Sequence, residues 1–270
     1  MRLHVRHQTA YRYSRPIAYA IQTLHLTPQP YEGLSVLRWR VTGETRHALP
    51  SFADGFGNIT HCHSVNRPHT AAAVFVDGEV ETHDTGGVVS GAAETLPPIF
   101  YLRETALTAA GPAIHALARE TARGATPLDC LTALMLAIAE RMAYRTGVTH
   151  SATAAGEALA AGAGVCQDHA HVFIAAARAL GYPARYVGGY LWMTGAGEYE
   201  ASHAWAEALV PDVGWVSFDP SNRTRATEAH IRTAIGLDYW SAAPIRGVRR
   251  GDASETLDVK VQVTQMGSQQ

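Results

Sequence analysis

Apolar residues recur at every second position through the first third of the chain, and this period constrains the fold more than any other feature. A period of two is typical of a β-strand that buries one face. Turn signals interrupt the alternation at 54–58 and at Asp77-Gly78, where the second predicts a hairpin between AVFV and EVET. No helical period precedes residue 95, so we predict an antiparallel β domain over residues 1–90. The alternating sets are Leu3, Val5, Thr9, Tyr11 and Tyr13, and Leu37, Trp39 and Val41.

The pattern becomes helical after residues 86–98, GGVVSGAAETLPP, which are typical of a linker or long loop. Thr126 followed by Pro127 is a strong helix start, with an N-cap hydroxyl and proline at the first helical position. Further helices are predicted over 154–161 and from Cys166 to Leu180. Strand patterns follow in ARYVGGYLW, SHAWAEALV and GWVSFDP. We therefore predict an α+β domain over 95–250, then a C-terminal strand and tail over 251–270 that could join either domain.

Composition excludes several classes of protein. The three cysteines among 270 residues, Cys62, Cys130 and Cys166, cannot all pair within one chain, so we expect reduced thiols. A net charge of −2 gives no global basic field for nucleic acid, and a single lysine, Lys260, argues against Schiff-base and P-loop chemistry. No signal-peptide core or membrane-spanning apolar run is present, so we expect a cytoplasmic protein without a membrane partner.

Cys166 lies where the glycine-rich segment at 162–165 meets a predicted helix start. Unpaired N–H groups and the positive end of the helix dipole favour a thiolate, which is the nucleophilic form of cysteine. The same N–H groups can hold an oxyanion. A lone cysteine at a helix start is more often a small buried residue, so this position alone is suggestive only.

A nucleophilic cysteine needs a base and a group that orients the base, and the next two strand patterns supply them. His203 begins one pattern and Asp219 ends the next, with a tight connection at 211–214. An antiparallel pair would place both residues at the same end of a hairpin. They share a face only if paired residue numbers have an even sum, which requires an odd-length connection or a bulge. Trp215 opposite Val210 in an unbulged ladder would contradict this arrangement.

At this point the sequence resembles the bacterial transglutaminase-like proteins. The segment at 54–58 and the β-rich start resemble the N-terminal region that accompanies this core in many bacterial members. Position 169 departs from the expected pattern, because His169 stands where an aromatic or other apolar residue is more usual. The core resemblance rests on GVCQD at 164–168, AH at 170–171, RALGYPARYVGGY at 178–190, SHAWAE at 202–207, FDPSN at 218–222 and two stretches near 236–247.

The resemblance implies a papain-like catalytic core with Cys166 as nucleophile, His203 as base and Asp219 as the orienting residue. It also implies acyl transfer through a thioester, without a cofactor. With water as acceptor the protein would be a cysteine peptidase or amidase, which is the expected activity because bacterial members without calcium-site signatures are more often hydrolytic. With an amine as acceptor it would be a transglutaminase, which is the alternative. A non-catalytic peptide-binding module is a third alternative. The expected partner is a peptide, isopeptide or protein amide, and self-association is left open.

Five further residues near this constellation are candidates for substrate contact: Asp168, His169, Tyr190, Trp205 and Asn222. Four of them also have a structural explanation. Asp168 would bond the helix N-terminal amides, the two aromatic residues would pack in the core, and Asn222 would close a turn. The pair His61 and His63 could face one metal ion from a strand, but no third or fourth ligand is spaced nearby, so we expect no metal.

Overall fold

The computed structural model describes residues 1–123, 126–194 and 202–267, and over these residues the fold is of mixed α+β type. None of its described helices is long and apolar enough to cross a membrane. A 3₁₀ turn at Pro98–Leu102 precedes the longer helices. The helices are α1 Pro112–Thr121, α2 Pro127–Arg141, α3 Ala155–Ala161, α4 Cys166–Ala179 and α5 Tyr239–Ala242.

The described strands form three antiparallel sheets and one short parallel pair. Sheet A consists of β1 Arg2–Ile17, β3 Leu34–Thr42, β6 His69–Thr82 and β15 Glu255–Gln265, in the order β15-β1-β6-β3. Sheet B consists of β2 Tyr19–Thr27, β4 Ser51–Ala53, β5 Ile59–Val65 and β14 Ile245–Arg250, in the order β14-β2-β5-β4. Sheet C consists of β7 Val88–Val89, β10 Ala184–Leu191, β11 Ser202–Val210, β12 Gly214–Phe218 and β13 His230–Gly236, in the order β13-β10-β11-β12-β7. The parallel pair is β8 Ala143–Tyr144 with β9 Ala163–Gly164.

Side chains of the first strand are alternately buried and exposed, as the sequence pattern predicts. Leu3 and Val5 are fully buried, whereas Arg2 and Arg6 face outward. The C-terminal strand β15 pairs with β1 along eleven residues, so the end of the chain completes the sheet that its beginning starts. A strand that buries one face must keep its register, and pairing with β15 on one side and with β6 on the other fixes the register of β1.

The predicted hairpin turn at Asp77-Gly78 is wrong. Both residues lie inside β6, a continuous strand of 14 residues. A Cβ on Gly78 would lie 2.1 Å from Cε3 of Trp39, the residue opposite it on β3. The glycine is therefore required for the close approach of an indole ring, a use of strand glycine that local sequence cannot separate from a turn.

The segment at 86–98 is more than a linker. Val88 and Val89 form β7 and pair with β12 at the edge of sheet C. Farther along, Glu94 accepts hydrogen bonds from both terminal nitrogens of the buried Arg185 side chain, at 2.7 and 3.0 Å. Two elements of sheet C therefore hold this segment in place.

The central helix α4 lies at the middle of the largest described hydrophobic cluster, between α1, α2 and α3 on one side and sheet C on the other. The predicted helix start at Thr126 is confirmed, since its hydroxyl accepts the Asp129 N–H at 3.1 Å. Gly181 follows α4 with a φ of 85°, as expected of a residue just beyond a helix end. Packing on every side makes α4 the rigid support for its first residue, Cys166.

The β-rich start and the α+β part are joined by an apolar contact and by two hydrogen bonds of the Asn58 side chain. Tyr190 and Ile231 of sheet C pack against the inner face of sheet A. Asn58, in the predicted turn at 54–58, donates through Nδ2 to the Ile235 carbonyl and accepts the Ile235 N–H through Oδ1, both at 2.8 Å. The side-chain amide thus continues the hydrogen bonding of β13.

The domain limits at 1–90, 95–250 and 251–270 stay a prediction. Strand β14, at 245–250, pairs with β2 of sheet B although its residues fall within the predicted second range. Strand β15 also returns to the β-rich part, which answers the question of which side the last strand joins.

Candidate active site

The residues just before Cys166 explain why α4 begins there. Gly162 has a φ of 63°, a left-handed conformation that ends α3. The Val165 N–H then donates to Asp168 Oδ2 at 2.8 Å, which closes the first turn of α4. Cys166 is half-buried at this helix N-terminus, where the helix leaves its first N–H groups unpaired. Those groups and the helix dipole favour a negative sulfur.

Asp168 has a structural role in this turn, which corrects the prediction that it binds substrate. The residue is 1% exposed, and its Oδ2 also accepts the Thr149 hydroxyl at 2.7 Å. A Cβ on Gly164 would lie 2.6 Å from the same oxygen, so glycine at that position leaves room for the carboxylate. Its alternative role as a helix cap is the one that the structure shows.

The hairpin that carries His203 and Asp219 has the predicted parity. Val210 pairs with Gly214 and Ala206 with Phe218, so every pair has the same even sum of residue numbers. The connection has three residues, and Asp212 in its middle has a φ of 63°. An odd connection puts His203 and Asp219 on the same face of sheet C, as the argument from the sequence required.

The two side chains are in direct contact. His203 Nε2 and Asp219 Oδ2 are 2.6 Å apart, and the two side chains are 8% and 0% exposed. With Nε2 bound to the carboxylate, the other ring nitrogen, Nδ1, is left for the Cys166 side chain, whose interaction with the ring helps to raise the pKa of His203. The imidazole and the carboxylate are therefore in direct contact, and the thiol at the start of α4 interacts with the same ring.

The charges in this chain support one another. Burial alone would lower the pKa of His203, but hydrogen bonds and charge interactions with Asp219 and Cys166 raise it to about 10. Burial also disfavours the Asp219 carboxylate, yet its hydrogen bonds to His203 and His230 hold its pKa well below the ordinary value. The ring is therefore an imidazolium near neutral pH, beside a carboxylate that stays ionised.

Asn222 and Ser221 also donate hydrogen bonds to the Asp219 carboxylate. The Asn222 side chain donates to Asp219 Oδ2 at 2.7 Å, and its backbone N–H donates to Oδ1 at 3.3 Å. The Ser221 hydroxyl donates to Oδ1 at 2.7 Å. Asn222 thus bonds a residue of the site, and a substrate contact by its exposed side chain stays a prediction.

His230 is a part of the site that the sequence reasoning missed. Its Nδ1 accepts the Thr227 N–H at 3.1 Å, so the proton of the neutral ring is on Nε2. Nε2 lies 3.3 Å from Asp219 Oδ2 and donates to it. His230 begins β13, but nothing in its local sequence distinguishes it from the chain's other thirteen histidines.

Two predicted substrate contacts are corrected by burial within sheet C. Tyr190 is 2% exposed, and its hydroxyl lies 2.9 Å from Nδ1 of His7 in sheet A. Trp205 is also 2% exposed and lies beneath the site, with its ring 5.2 Å from that of His230 and 6.0 Å from that of His203. Trp205 therefore packs against the two histidines, and both aromatic side chains are buried.

His169 is likewise corrected from a residue of the site rim to one of the core. It is 1% exposed, and its Nδ1 and Nε2 lie 2.9 and 3.1 Å from the carbonyl oxygens of Val165 and Met142. Its neighbour His171 is fully buried and accepts the Tyr239 N–H, and burial lowers its pKa to about 4. Both histidines therefore form hydrogen bonds with backbone groups packed around α4.

The donor atoms of His203, Asp219 and His230 lie within 4.8 Å of one another, close enough to share a metal ion. The hydrogen bonds among them already explain this convergence. A metal ion would replace the bond between His203 and Asp219, so these residues fit a metal only at the expense of the thiol–imidazole arrangement. His61 and His63 on β5 bond different side chains, which gives them separate structural roles.

Two family models match the chain. The model of the transglutaminase-like superfamily matches residues 115–220, and that of the bacterial transglutaminase-like N-terminal region matches residues 3–81. The first range contains Cys166, His203 and Asp219. The predicted family resemblance is confirmed in both parts of the chain.

Full-length relatives and a solved structure agree with the family models. The chain is 30% identical to an uncharacterized protein of Mycobacterium leprae over 98% of this chain and 99% of that protein. It is also 30% identical to an uncharacterized protein of Mycobacterium bovis, over 97% and 92%. A crystal structure of a candidate cysteine protease from Cytophaga hutchinsonii superposes with a TM-score of 0.79, at 21% identity, covering 99% of this chain and 92% of that one. At this identity the likeness shows the fold, and it confirms the predicted fold class.

Proposed function

The chain belongs to the transglutaminase-like superfamily, and from that premise we propose that it hydrolyses an amide bond through a thioester on Cys166. The observation that carries the proposal is the buried contact between His203 and Asp219, with Cys166 at the start of α4 acting on the pKa of the same ring. A nucleophile, a base and an orienting group in that order are what covalent acyl transfer needs. The proposed substrate is a peptide, an isopeptide or another protein amide.

In the first half-reaction the Cys166 thiolate attacks the carbonyl carbon of the amide, and the carbonyl π electrons move onto oxygen. As the tetrahedral intermediate collapses, the carbon–nitrogen bond breaks and the His203 imidazolium gives its Nδ1 proton to the leaving amine. Asp219 keeps the ring oriented through Nε2 and remains ionised. The products are a thioester and a free amine, with His203 now neutral.

In the second half-reaction neutral His203 takes a proton from water as the water oxygen attacks the thioester carbon. Collapse of the second tetrahedral intermediate breaks the carbon–sulfur bond and returns the electron pair to Cys166 as a thiolate. The carboxylic acid leaves, and the ion pair of thiolate and imidazolium is restored. Both intermediates carry an oxyanion, for which we propose the N–H groups at the start of α4 as donors.

A labelling experiment tests the reactive thiolate without any knowledge of the substrate. Cys62 is a matched comparison, because it is also half-buried but lies on a strand away from any helix start. Near neutral pH we expect iodoacetamide to label Cys166 at least about tenfold faster than Cys62, measured by peptide mass spectrometry. Buried Cys130 should react more slowly than either. Equal rates at the three cysteines would contradict an activated thiolate.

A peptide library then identifies the reaction. The protein is incubated with the library in the presence and absence of a primary amine, and the products are analysed by mass spectrometry. New peptide ends that depend on Cys166 support the proposed hydrolase, with Cys62→Ala as the active control and Cys166→Ala as the inactive one. Amine adducts would overturn hydrolysis in favour of transglutaminase chemistry. Peptide retention without turnover, in a protein with a reactive thiol, would indicate a binding module.

A further inference from the structure

Sheet A carries a groove on its outer face, on the side opposite to the apolar contact with sheet C. The groove has a volume of about 530 Å³. Strand register places the outward side chains in rows that cross all four strands. One row runs Gln262, Arg6, Asp77, Arg40, and the next runs Lys260, Gln8, Phe75, Thr42.

The loop after β3 forms a wall of this groove. Arg46 in that loop has a φ of 60°, a left-handed conformation uncommon for a residue with a Cβ. Its carbonyl oxygen accepts a hydrogen bond from Arg40 at 2.9 Å, and its guanidinium lies 3.7 Å above the centre of the Phe75 ring. The left-handed turn thus places the Arg46 guanidinium over Phe75, which forms the floor of the groove.

The groove is strongly basic although the chain as a whole carries a charge of −2. Asp77 is the carboxylate that lines it, and it lies 2.7 Å from Arg38, 3.1 Å from His4 and 4.0 Å from Arg6. Arg38 also pairs with Glu79 at 3.1 Å. Of the carboxylates in the described parts of the chain, none lies within ion-pair distance of the other three cations. The five cationic residues of the groove are Arg6, Arg38, Arg40, Arg46 and Lys260.

We propose that this groove is a second binding site, which holds an acidic segment of the polypeptide substrate away from Cys166. The proposal rests on the proposed function, since it takes the ligand to be part of the amide substrate. Four of the five cations are arginines, whose planar guanidinium groups match carboxylates with two parallel hydrogen bonds. A single-stranded nucleic acid would need open aromatic faces for base stacking, and Arg46 covers the ring of Phe75.

The test measures binding in the Cys166→Ala protein, so turnover plays no part in it. A fluorescein-labelled oligoglutamate is titrated with the protein and followed by fluorescence anisotropy, with an oligoglutamine of the same length for comparison. We expect binding of the acidic peptide only, weakening as salt rises. The double variant Arg40→Glu, Lys260→Glu should lose about tenfold or more in affinity, because two cations become anions in the groove.

The matched control reverses two exposed cations elsewhere, Arg119→Glu with Arg123→Glu at the end of α1, and should change affinity by less than about twofold. Thermal melts establish that both double variants are folded. Equal losses in the two variants would overturn the proposal, as would absence of oligoglutamate binding or tighter binding of an oligothymidine. Those results would leave the thiol labelling of Cys166 unaffected, so failure of this site is distinguishable from failure of the proposed function.

Discussion

Replacing Asp219 with asparagine asks whether a negative charge, beyond a hydrogen bond, prepares Cys166 for reaction. The amide fits the site, because its oxygen can take the place of Oδ2 and accept from His203. Its NH₂ group then faces the Ser221 hydroxyl, which is able to accept a hydrogen bond. The Asn222 backbone N–H loses its acceptor, at a cost of about 1 kcal/mol, so we expect the variant to fold.

The size of the effect follows from the pKa of His203. That pKa stands at about 10 against an ordinary 6.5, even though burial opposes the charge. One pKa unit corresponds to about 1.4 kcal/mol, so the net stabilisation of the imidazolium is roughly 5 kcal/mol, which its partners supply in addition to offsetting burial. Asp219 and Cys166 share this stabilisation. If the Asp219 charge supplies roughly 3 kcal/mol of this stabilisation, the variant loses that amount. The equilibrium between the thiolate–imidazolium ion pair and the neutral thiol–imidazole pair would then shift about 100-fold towards the neutral pair.

The rate of Cys166 alkylation by iodoacetamide reports on this equilibrium, because the thiolate is the reactive form. Near pH 7 we expect the Asp219→Asn protein to react about 10–100-fold more slowly than the native protein. Above about pH 9, where an unassisted thiol ionises, the two rates should converge. The control is Asp258→Asn, the same chemical change on the exposed face of β15, which should leave the profile unchanged.

Equal alkylation rates near pH 7 in a folded Asp219→Asn protein would refute the reasoning. They would mean that the hydrogen bond of the amide orients His203 as well as the carboxylate does, and that its charge contributes nothing. A rate reduced by the same factor at every pH would also refute it, since the change would then lie in access to Cys166 and not in its ionisation.

Three further predictions concern the surroundings of the site. Glu207 is fully buried between two guanidinium groups, at 2.6 and 2.8 Å, so Glu207→Gln should lower the free energy of unfolding in urea by roughly 3–5 kcal/mol. Asn58→Ala removes two buried bonds to β13 and should cost about 2–3 kcal/mol in the same assay. His230→Ala removes one N–H donor from Asp219 and should slow Cys166 alkylation near pH 7 about three- to tenfold, measured by mass spectrometry.

Each of these has a comparison that could contradict it. Glu94→Gln changes a partly exposed carboxylate of the same cluster and should cost less than about 1 kcal/mol, so an equal loss would remove the argument from burial. A loss of unfolding free energy below about 0.5 kcal/mol in Asn58→Ala would show that the two hydrogen bonds of Asn58 to β13 contribute little to stability. An alkylation rate unchanged in His230→Ala would mean that Asp219 does not depend on the second histidine.

The contact between His203 and Asp219, and the position of Cys166 at a helix start, were predictable because local rules set them. Cys166 follows from a helix start, and the shared face of His203 and Asp219 follows from the parity of one hairpin. The hairpin at Asp77-Gly78 was wrong for the opposite reason. The glycine there accommodates the ring of Trp39, which lies almost forty positions away in the sequence, and a turn signal carries no information about such a partner.

The second histidine shows where local reasoning ends. His230 and Asp219 are eleven residues apart, but their contact depends on β10 and β11 lying between β13 and β12 in sheet C. One indirect signal was present in the sequence, the glycine pair inside β10. A Cβ on Gly189 would lie 2.9 Å from the Trp205 ring and 2.1 Å from the Ile231 carbonyl. Glycine inside a buried strand therefore marks a place where β13 and the Trp205 ring leave no room for a side chain.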